Sequence, residues 1–285
     1  MKAIIPVAGI GTRLRPLTNT TPKVLINVAG KPMLSYLIDD LIESGKIDTI
    51  ILIVGYLGDK IKDYISKTYS SLPNMKFEFA SQTEMLGLGH AVYQAKPFVG
   101  NEPVLMFLGD TIFEFSLDGV LSSKYSMIGI KKVEDITRYG IAEIENGFIK
   151  RMIEKPSGPE ITRSKSAIAG VYYLRDASKL FSSIEYVINK NIRTKNEYQL
   201  TDALQNMVDE GEKFATFKID NWFDCGKPET LLDTNRYILE RDYSSSKFNS
   251  EDSKLIPPVF IGNDCTVEYS EIGPYTTVAS GAKVI

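Results

Sequence analysis

The sequence predicts an α/β protein: a mixed, mostly parallel sheet covered by helices, followed by the start of a left-handed parallel β-helix. Three observations point there. Short, continuously apolar segments alternate with amphipathic ones early in the chain. A glycine-rich turn directly follows the first apolar segment. Near the C-terminus, aliphatic residues recur at a hexapeptide spacing.

The segments Lys2–Ala8, Thr49–Val54, Lys76–Ala80 and Pro103–Leu108 read as strands. Between the first two, Leu34, Leu37, Ile38, Leu41 and Ile42 follow the spacing of a helix with one buried stripe, and Gly45 marks its end. Strands without polar alternation belong to a sheet buried on both faces. In such a sheet ligands bind at the carboxyl ends of the strands, near a switch point. Here that edge is where the first strand meets its glycine turn and the fourth meets Gly109-Asp110. From Ser126 to Asp224 the chain is expected to extend the sheet and form the far side of the cleft. Strands fall at Ser126–Lys132, Gly140–Ile144, Ala169–Leu174 and Phe214–Ile219, with a helix near Leu200–Glu210. A helix from Pro228 to about Arg241 closes a domain spanning residues 1–241. The polar run over 242–254 lacks periodicity and reads as a linker.

In residues 255–285 the pattern changes. Ile261, Val267, Ile272, Val278 and Val284 recur at the hexapeptide spacing of a parallel β-helix, with small residues Cys265, Thr276 and Ala282 between them. A solenoid needs several stacked coils to bury a core. The pattern stops at Val284-Ile285, so a longer native chain or support from a neighbouring subunit in a homo-oligomer is expected.

Composition narrows the function. Hydrophobic residues at 43% and charged residues at 24% describe an ordinary globular protein. A net charge of -3 gives no bulk reason to expect nucleic acid. Cys225 and Cys265 lie far apart and suit a reducing compartment. The N-terminus has no secretory pattern and no stretch has the ~20 apolar residues of a membrane span, so a cytoplasmic location is expected. His90 is the single histidine. Histidine-based catalysis and histidine-rich metal sites are therefore nearly excluded, and any metal should be a hard ion held by carboxylates.

The segment from Val7 to Lys23 follows the first strand directly. Gly9 and Gly11 let backbone N–H groups approach phosphate oxygens, Arg13 adds a bidentate cation and Lys23 a compact one. Leu14 stands where a dinucleotide fingerprint needs its third small residue, and no Gly-Lys-Ser/Thr follows, so neither standard nucleotide loop is present.

The run Gly9-x-Gly11-Thr12-Arg13-Leu14-x-Pro16-Leu17-Thr18 with Pro22-Lys23 resembles the signature loop of the sugar-1-phosphate nucleotidylyltransferases. Further blocks extend the resemblance over residues 1–240: Gln82 with Leu86–Val92, Leu108-Gly109-Asp110, Arg138-Tyr139-Gly140, Glu154-Lys155-Pro156, Gly170-Val171-Tyr172, Leu200-Thr201-Asp202 and Trp222–Pro228. The resemblance implies a Rossmann-like fold and transfer of a nucleotidyl group from a nucleoside triphosphate to a sugar 1-phosphate. It implies that Val7, Ala8, Gly9, Gly11, Thr12, Arg13, Lys23, Gln82 and Gly87 hold the nucleotide. Gly140, Glu154, Lys155, Gly170 and Tyr172 would hold the sugar phosphate, and Asp110 and Asp224 would hold Mg²⁺. Arg13, Lys23, Lys155 and Asp110 would carry the catalysis, Arg13 by neutralising the leaving pyrophosphate. The nucleophile is already an anion near neutral pH, so no general base is needed, in agreement with a chain almost without histidine. Gln82 can pair with the imide edge of uracil or thymine. These features together favour UTP or dTTP with glucose 1-phosphate. Mannose-1-phosphate guanylyl transfer and a non-catalytic regulatory subunit are the alternatives, and the intact cation and carboxylate set argues against the second. Acyl transfer by the β-helix lacks a histidine after His90 to act as its base.

Overall fold

The computed structural model describes residues 1–244 and 252–285. Strand β1 (Lys2–Pro6) lies in the interior of the sheet, its Ala3, Ile4 and Ile5 fully buried. On one side it pairs in parallel with β2 (Thr49–Val54), which pairs in parallel with β3 (Lys76–Ser81). On the other side it pairs in parallel with β4 (Val104–Phe107). Helices α1 (Met33–Glu43), α2 (Gly58–Tyr69) and α3 (Leu88–Tyr93) lie in the crossovers. Leu34, Leu37, Ile38 and Leu41 of α1 are buried as their spacing predicts, and Gly45 ends the helix in the left-handed region at φ 61°.

Beyond β4 come β5 (Thr111–Glu114), β6 (Ser126–Lys132), β7 (Gly140–Glu145), β8 (Phe148–Glu154) and β9 (Ser166–Leu174). Helices α4 (Ala177–Asn189) and α5 (Leu200–Asp209), strands β10 (Phe214–Lys218) and β11 (Asn221–Asp224), and helix α6 (Pro228–Tyr243) complete the large domain. The main sheet has nine strands in the order β3-β2-β1-β4-β9-β6-β10-β8-β7.

The expectation of a mostly parallel sheet holds for β3-β2-β1-β4, and beyond them only β6 and β10 pair in parallel. Strand β9 runs antiparallel to both β4 and β6, and β8 antiparallel to β10 and β7. Local chain geometry forces part of this. Asn146 and Gly147, at φ 50° and 82°, make the tight connection between β7 and β8, and a two-residue hairpin joins only antiparallel strands. The Asn-Gly pair was the available signal for strand β8, which sequence periodicity did not reveal.

Two cores sandwich the sheet. Val92 of α3, Leu180 and Ile184 of α4 and Leu204 of α5 pack with Ile4, Ile53 and Met106 on one face. Leu34, Ile38 and Leu41 of α1 and Ile61 and Ile65 of α2 pack with Ile5, Leu52 and Phe107 on the other. The carboxyl edge of β1, β2 and β4 is left between these layers, open for a ligand.

Two short strands outside this sheet matter most for the site. Strands β5 and β11 form an antiparallel ribbon in which Asp224 stands opposite Thr111. Helix α6 starts with Pro228 at its first position and packs on the ribbon through Tyr237, whose ring meets Phe223 at 4.5 Å.

The helix runs through Asp242 and Tyr243, so the linker expected from residue 242 begins later. Residues 245–251 of that linker lie outside the described residues. In the C-terminal segment Leu255 pairs with Ile272, Ile261 with Val278 and Val267 with Val284, always in parallel and at one constant offset. Val259, Val267, Ile272 and Val278 point into a common apolar core. No helix among the described residues is long and apolar enough to cross a membrane.

Candidate active site

Two cavities open at the carboxyl edge of the sheet. The first, about 420 Å³, is walled by Val7, Ala8, Gly9, Gly11, Thr12 and Lys23 of the glycine loop, with Gln82, Gly87 and Asp110. The second, about 540 Å³, is walled by Arg13, Arg138, Gly140, Glu154, Lys155, Tyr172, Thr201, Trp222 and Asp224, again with Asp110. Leu88, Leu108, Asp110 and Glu197 belong to both walls, so the two volumes meet at the Asp110 turn.

The loop after β1 stays short and stiff. Leu14 is buried and its N–H bonds Gly11 O at 2.9 Å, while Thr18 Oγ1 donates to the same carbonyl at 2.9 Å. Its two glycines differ. A side chain at Gly9 would enter open space, whereas Gly11 sits at φ 70° with the Lys23 Cβ only 2.9 Å from where its own Cβ would be. Gly9 therefore keeps the cavity open, and Gly11 lets the loop fold onto Lys23. The N–H groups of Gly9, Ile10 and Gly11 have no partner among the described residues, which leaves donors free for phosphate oxygens.

Lys23 is buried and pairs with Asp110 at the junction of the cavities. Burial pushes the Asp110 carboxyl up, but the Lys23 ammonium outweighs this and holds it below the usual carboxylate range. Arg13 stands apart from its loop neighbours. Expected with the nucleotide, it lines the second cavity instead, and a Cβ at Gly226 would lie 3.2 Å from its guanidinium. The side chain leaves the short helical turn Thr12–Leu14 and ends near Gly226, where Asp224 Oδ1 also lies.

Asp224 is brought beside the Asp110 turn by the β5–β11 ribbon. One of its oxygens accepts from Gly226 N–H at 2.9 Å, and the other lies 3.6 Å from Arg138. Tyr139 and Trp222 stack next to them at 4.8 Å.

Glu154 is oriented from two sides: Thr201 Oγ1 donates to it at 2.6 Å and Lys155 Nζ lies 3.1 Å away. Lys155 has φ 41°, a left-handed conformation that costs a non-glycine residue roughly 1 kcal/mol or more and is found at ligand clamps. Tyr172 is buried, and that burial drives its hydroxyl pKa upward. Gly170 departs from expectation. It lines neither cavity, and at φ 93° its Cβ position lies 2.6 Å from Leu108, so its place is beneath the Asp110 turn, holding Leu108 N–H at 3.0 Å.

Gln82 is buried, and its Nε2 donates to Gly87 O at 3.2 Å. The N–H of Gly87 has no partner among the described residues. Glu197 and Gln199 line the site although nothing in their sequence context singled them out. They arrive through long-range backbone bonds: Gly89 N–H to Tyr198 O and Tyr198 N–H to Leu86 O, each at 2.8 Å. No group of three or more His, Cys, Asp or Glu side chains poised for a metal occurs among the described residues.

The fold has relatives among known proteins. The chain belongs to the nucleotidyl transferase family, which residues 2–241 match. It is 36% identical over 259 residues to the bifunctional protein GlmU of Methanocaldococcus jannaschii, covering 90% of this chain and 59% of that protein. Against a glucose-1-phosphate thymidylyltransferase of Streptomyces antibioticus it is 27% identical, covering 100% of this chain and 84% of that one. A UDP-glucose pyrophosphorylase solved with UDP-glucose superposes with a TM-score of 0.73 at 26% identity, over 84% of this chain and 98% of that chain. The chain spans 55 to 66% of the length of six of the relatives it matches.

Proposed function

We propose that the protein transfers a nucleotidyl group from a pyrimidine nucleoside triphosphate, UTP or dTTP, to glucose 1-phosphate, releasing pyrophosphate. The observation that carries this reading is the pair of cavities meeting at Asp110: one has free backbone donors and a buried Lys23, the other a Glu154–Lys155 pair. The triphosphate lies on the Val7–Lys23 loop with its base at Gln82 and Gly87. The acceptor lies against Gly140, Glu154, Lys155 and Tyr172, with Lys155 on its phosphate and Glu154 accepting from sugar hydroxyls. An acceptor phosphate oxygen attacks the α-phosphorus, an O–P bond forms, and the bond to the β-phosphate oxygen breaks in line. Both ends of this step are anions, so the protein's task is positioning and charge neutralisation rather than proton transfer. Lys23 approaches from the nucleotide side, and Arg13 and Arg138 from the acceptor side.

Two carboxylates suit Mg²⁺, which keeps several waters and takes the rest of its ligands from phosphates. Asp110 and Asp224, which lie at the same end of the β5–β11 ribbon on its two strands, would hold it, and it would neutralise phosphate charge. The constant-offset parallel pairings of residues 254–284 support reading that segment as the start of a left-handed parallel β-helix, appended to a catalytic domain of residues 1–241. Its packing on α6 through Phe260 and Tyr275 supports a stabilising or oligomer-forming role.

A pyrophosphate-release assay over UTP, dTTP, CTP, ATP and GTP against a panel of sugar 1-phosphates tests the reading. Release with UTP or dTTP and glucose 1-phosphate is expected. Release only with GTP and mannose 1-phosphate would replace the substrate assignment, and silence with every pair would end it.

A further inference from the structure

Gln82 has an amide whose two ends present opposite hydrogen-bonding senses, so its orientation decides what a base must offer. Its Nε2 lies 3.2 Å from Gly87 O and 3.2 Å from His90 Nδ1. Gly87 O also accepts the Ala91 N–H of α3 at 3.0 Å, so it stays an acceptor and claims one amide hydrogen. The second hydrogen points at the imidazole, and Oε1 is left for the cavity that Gln82 lines.

The imidazole can accept at Nδ1 only if it is neutral with its proton on Nε2. At Nε2 it meets the Gln94 amide nitrogen at 3.3 Å, which also donates to His90 O at 3.1 Å. Both ring nitrogens thus face a donor, and one contact must yield. Gln82 is 5% exposed and its amide is anchored on Gly87 O, while Gln94 is only half-buried and keeps His90 O as an acceptor, so the contact to Gln94 yields and the proton resides on Nε2.

We propose that His90, through its Nδ1 lone pair, locks the Gln82 amide with Oε1 toward the base and so sets which nucleobases the site takes. This rests on the nucleotide-cavity assignment above. An acceptor aimed at the base edge pairs with the ring N–H of uracil, thymine or guanine. It faces the ring nitrogen lone pair of cytosine or adenine, leaving two buried acceptors opposed. UTP and CTP are the sharpest comparison, because they differ only at this edge. His90 does not touch the substrate; it is a positioning residue.

The chain's single histidine makes a direct test possible. In the wild-type protein at pH 8, ¹⁵N NMR of the imidazole is expected to show an unprotonated Nδ1 and a protonated Nε2. A protonated Nδ1 overturns the proposal whatever the variants do. Kinetically, His90→Leu should lower the UTP-to-CTP ratio of kcat/KM by about tenfold or more, chiefly through KM. His90→Asn, whose Oδ1 can stand where Nδ1 stood, should restore most of the ratio. A wild-type ratio in His90→Leu, or an Asn variant no better than Leu, overturns the role of the lone pair. A wild-type enzyme that uses no nucleoside triphosphate, or prefers CTP or ATP, overturns the function assignment itself, so the two failures are separable.

Discussion

At the scale of single residues, the cleft depends on where the two loop glycines leave room and where Lys23 is held. Adding a methyl at Gly11 forces an unfavourable left-handed conformation and drives into the Lys23 stem. Gly11→Ala should therefore cost about 1–3 kcal/mol of folding stability, read from urea denaturation, and impair turnover with it. Gly9→Ala adds its methyl to open space. Its stability should stay within about 0.5 kcal/mol of wild type, while the KM for the triphosphate rises. The reverse order, a costly Gly9 and a harmless Gly11, would contradict the division of labour between them. The motif made both glycines visible in the sequence, but not this difference, which depends on Lys23 returning to pack against Gly11. The position of Arg13 was hidden for a similar reason: spacing puts it in the phosphate loop, and only the folded chain shows its guanidinium near Gly226, on the wall of the second cavity. Glu197 carried no local signal at all, because its position is fixed by backbone bonds to Leu86 and Gly89 far away in the chain.

At the scale of elements, the β5–β11 ribbon and helix α6 form the unit that aligns Asp110 with Asp224. Glu114 ties it together, accepting from Asn221 Nδ2 at 2.6 Å, Tyr237 OH at 3.0 Å and Arg241 Nη1 at 2.5 Å. Burial pushes the Glu114 carboxyl up, but these donors outweigh it and hold it below the usual glutamate range. A depressed carboxyl contributes stability above its unfolded pKa and loses it as pH falls through the folded one. Glu114→Gln should thus destabilise by about 1–3 kcal/mol at pH 7, and the gap to wild type should narrow as denaturation is repeated below about pH 4. A gap that widens in acid would contradict this role. The central strands and α1 were legible because their buried faces leave a periodic record. The ribbon was not: its two strands are four residues each, too short for periodicity, and they lie far apart in the chain.

At the scale of the whole molecule, the C-terminal strands within residues 254–284 are anchored to the side of the fold that supports the carboxylates. Phe260 meets Tyr243 edge-on at 5.2 Å, and the Arg236 guanidinium lies 4.6 Å over the Tyr275 ring. Phe260 and Tyr275 join a cluster with Ile238 of α6 and with Val28, Ile112 and Cys225, which neighbour the Lys23 arm, Asp110 and Asp224 in sequence. Removing a half-buried ring should cost about 2 kcal/mol. Phe260→Ala is therefore expected to melt earlier and to speed amide exchange at Val28 and Ile238. Unchanged exchange there would mean the C-terminal strands lie on the rest of the fold without supporting it. The hexapeptide spacing set this segment apart in the sequence, whereas its docking depends on Phe260 and Tyr275, which stand outside that spacing.

The central claim is that both cavities serve one reaction joined at Asp110. The most direct measurement is pyrophosphate release with UTP or dTTP, glucose 1-phosphate and Mg²⁺, comparing wild type with Asp110→Asn and Lys155→Ala. The expected result is a loss of turnover of at least about a hundredfold for Asp110→Asn without loss of the fold. Lys155→Ala should weaken the acceptor while leaving the KM for the triphosphate unchanged. Full activity in Asp110→Asn, or a Lys155→Ala defect confined to the triphosphate, would contradict the account.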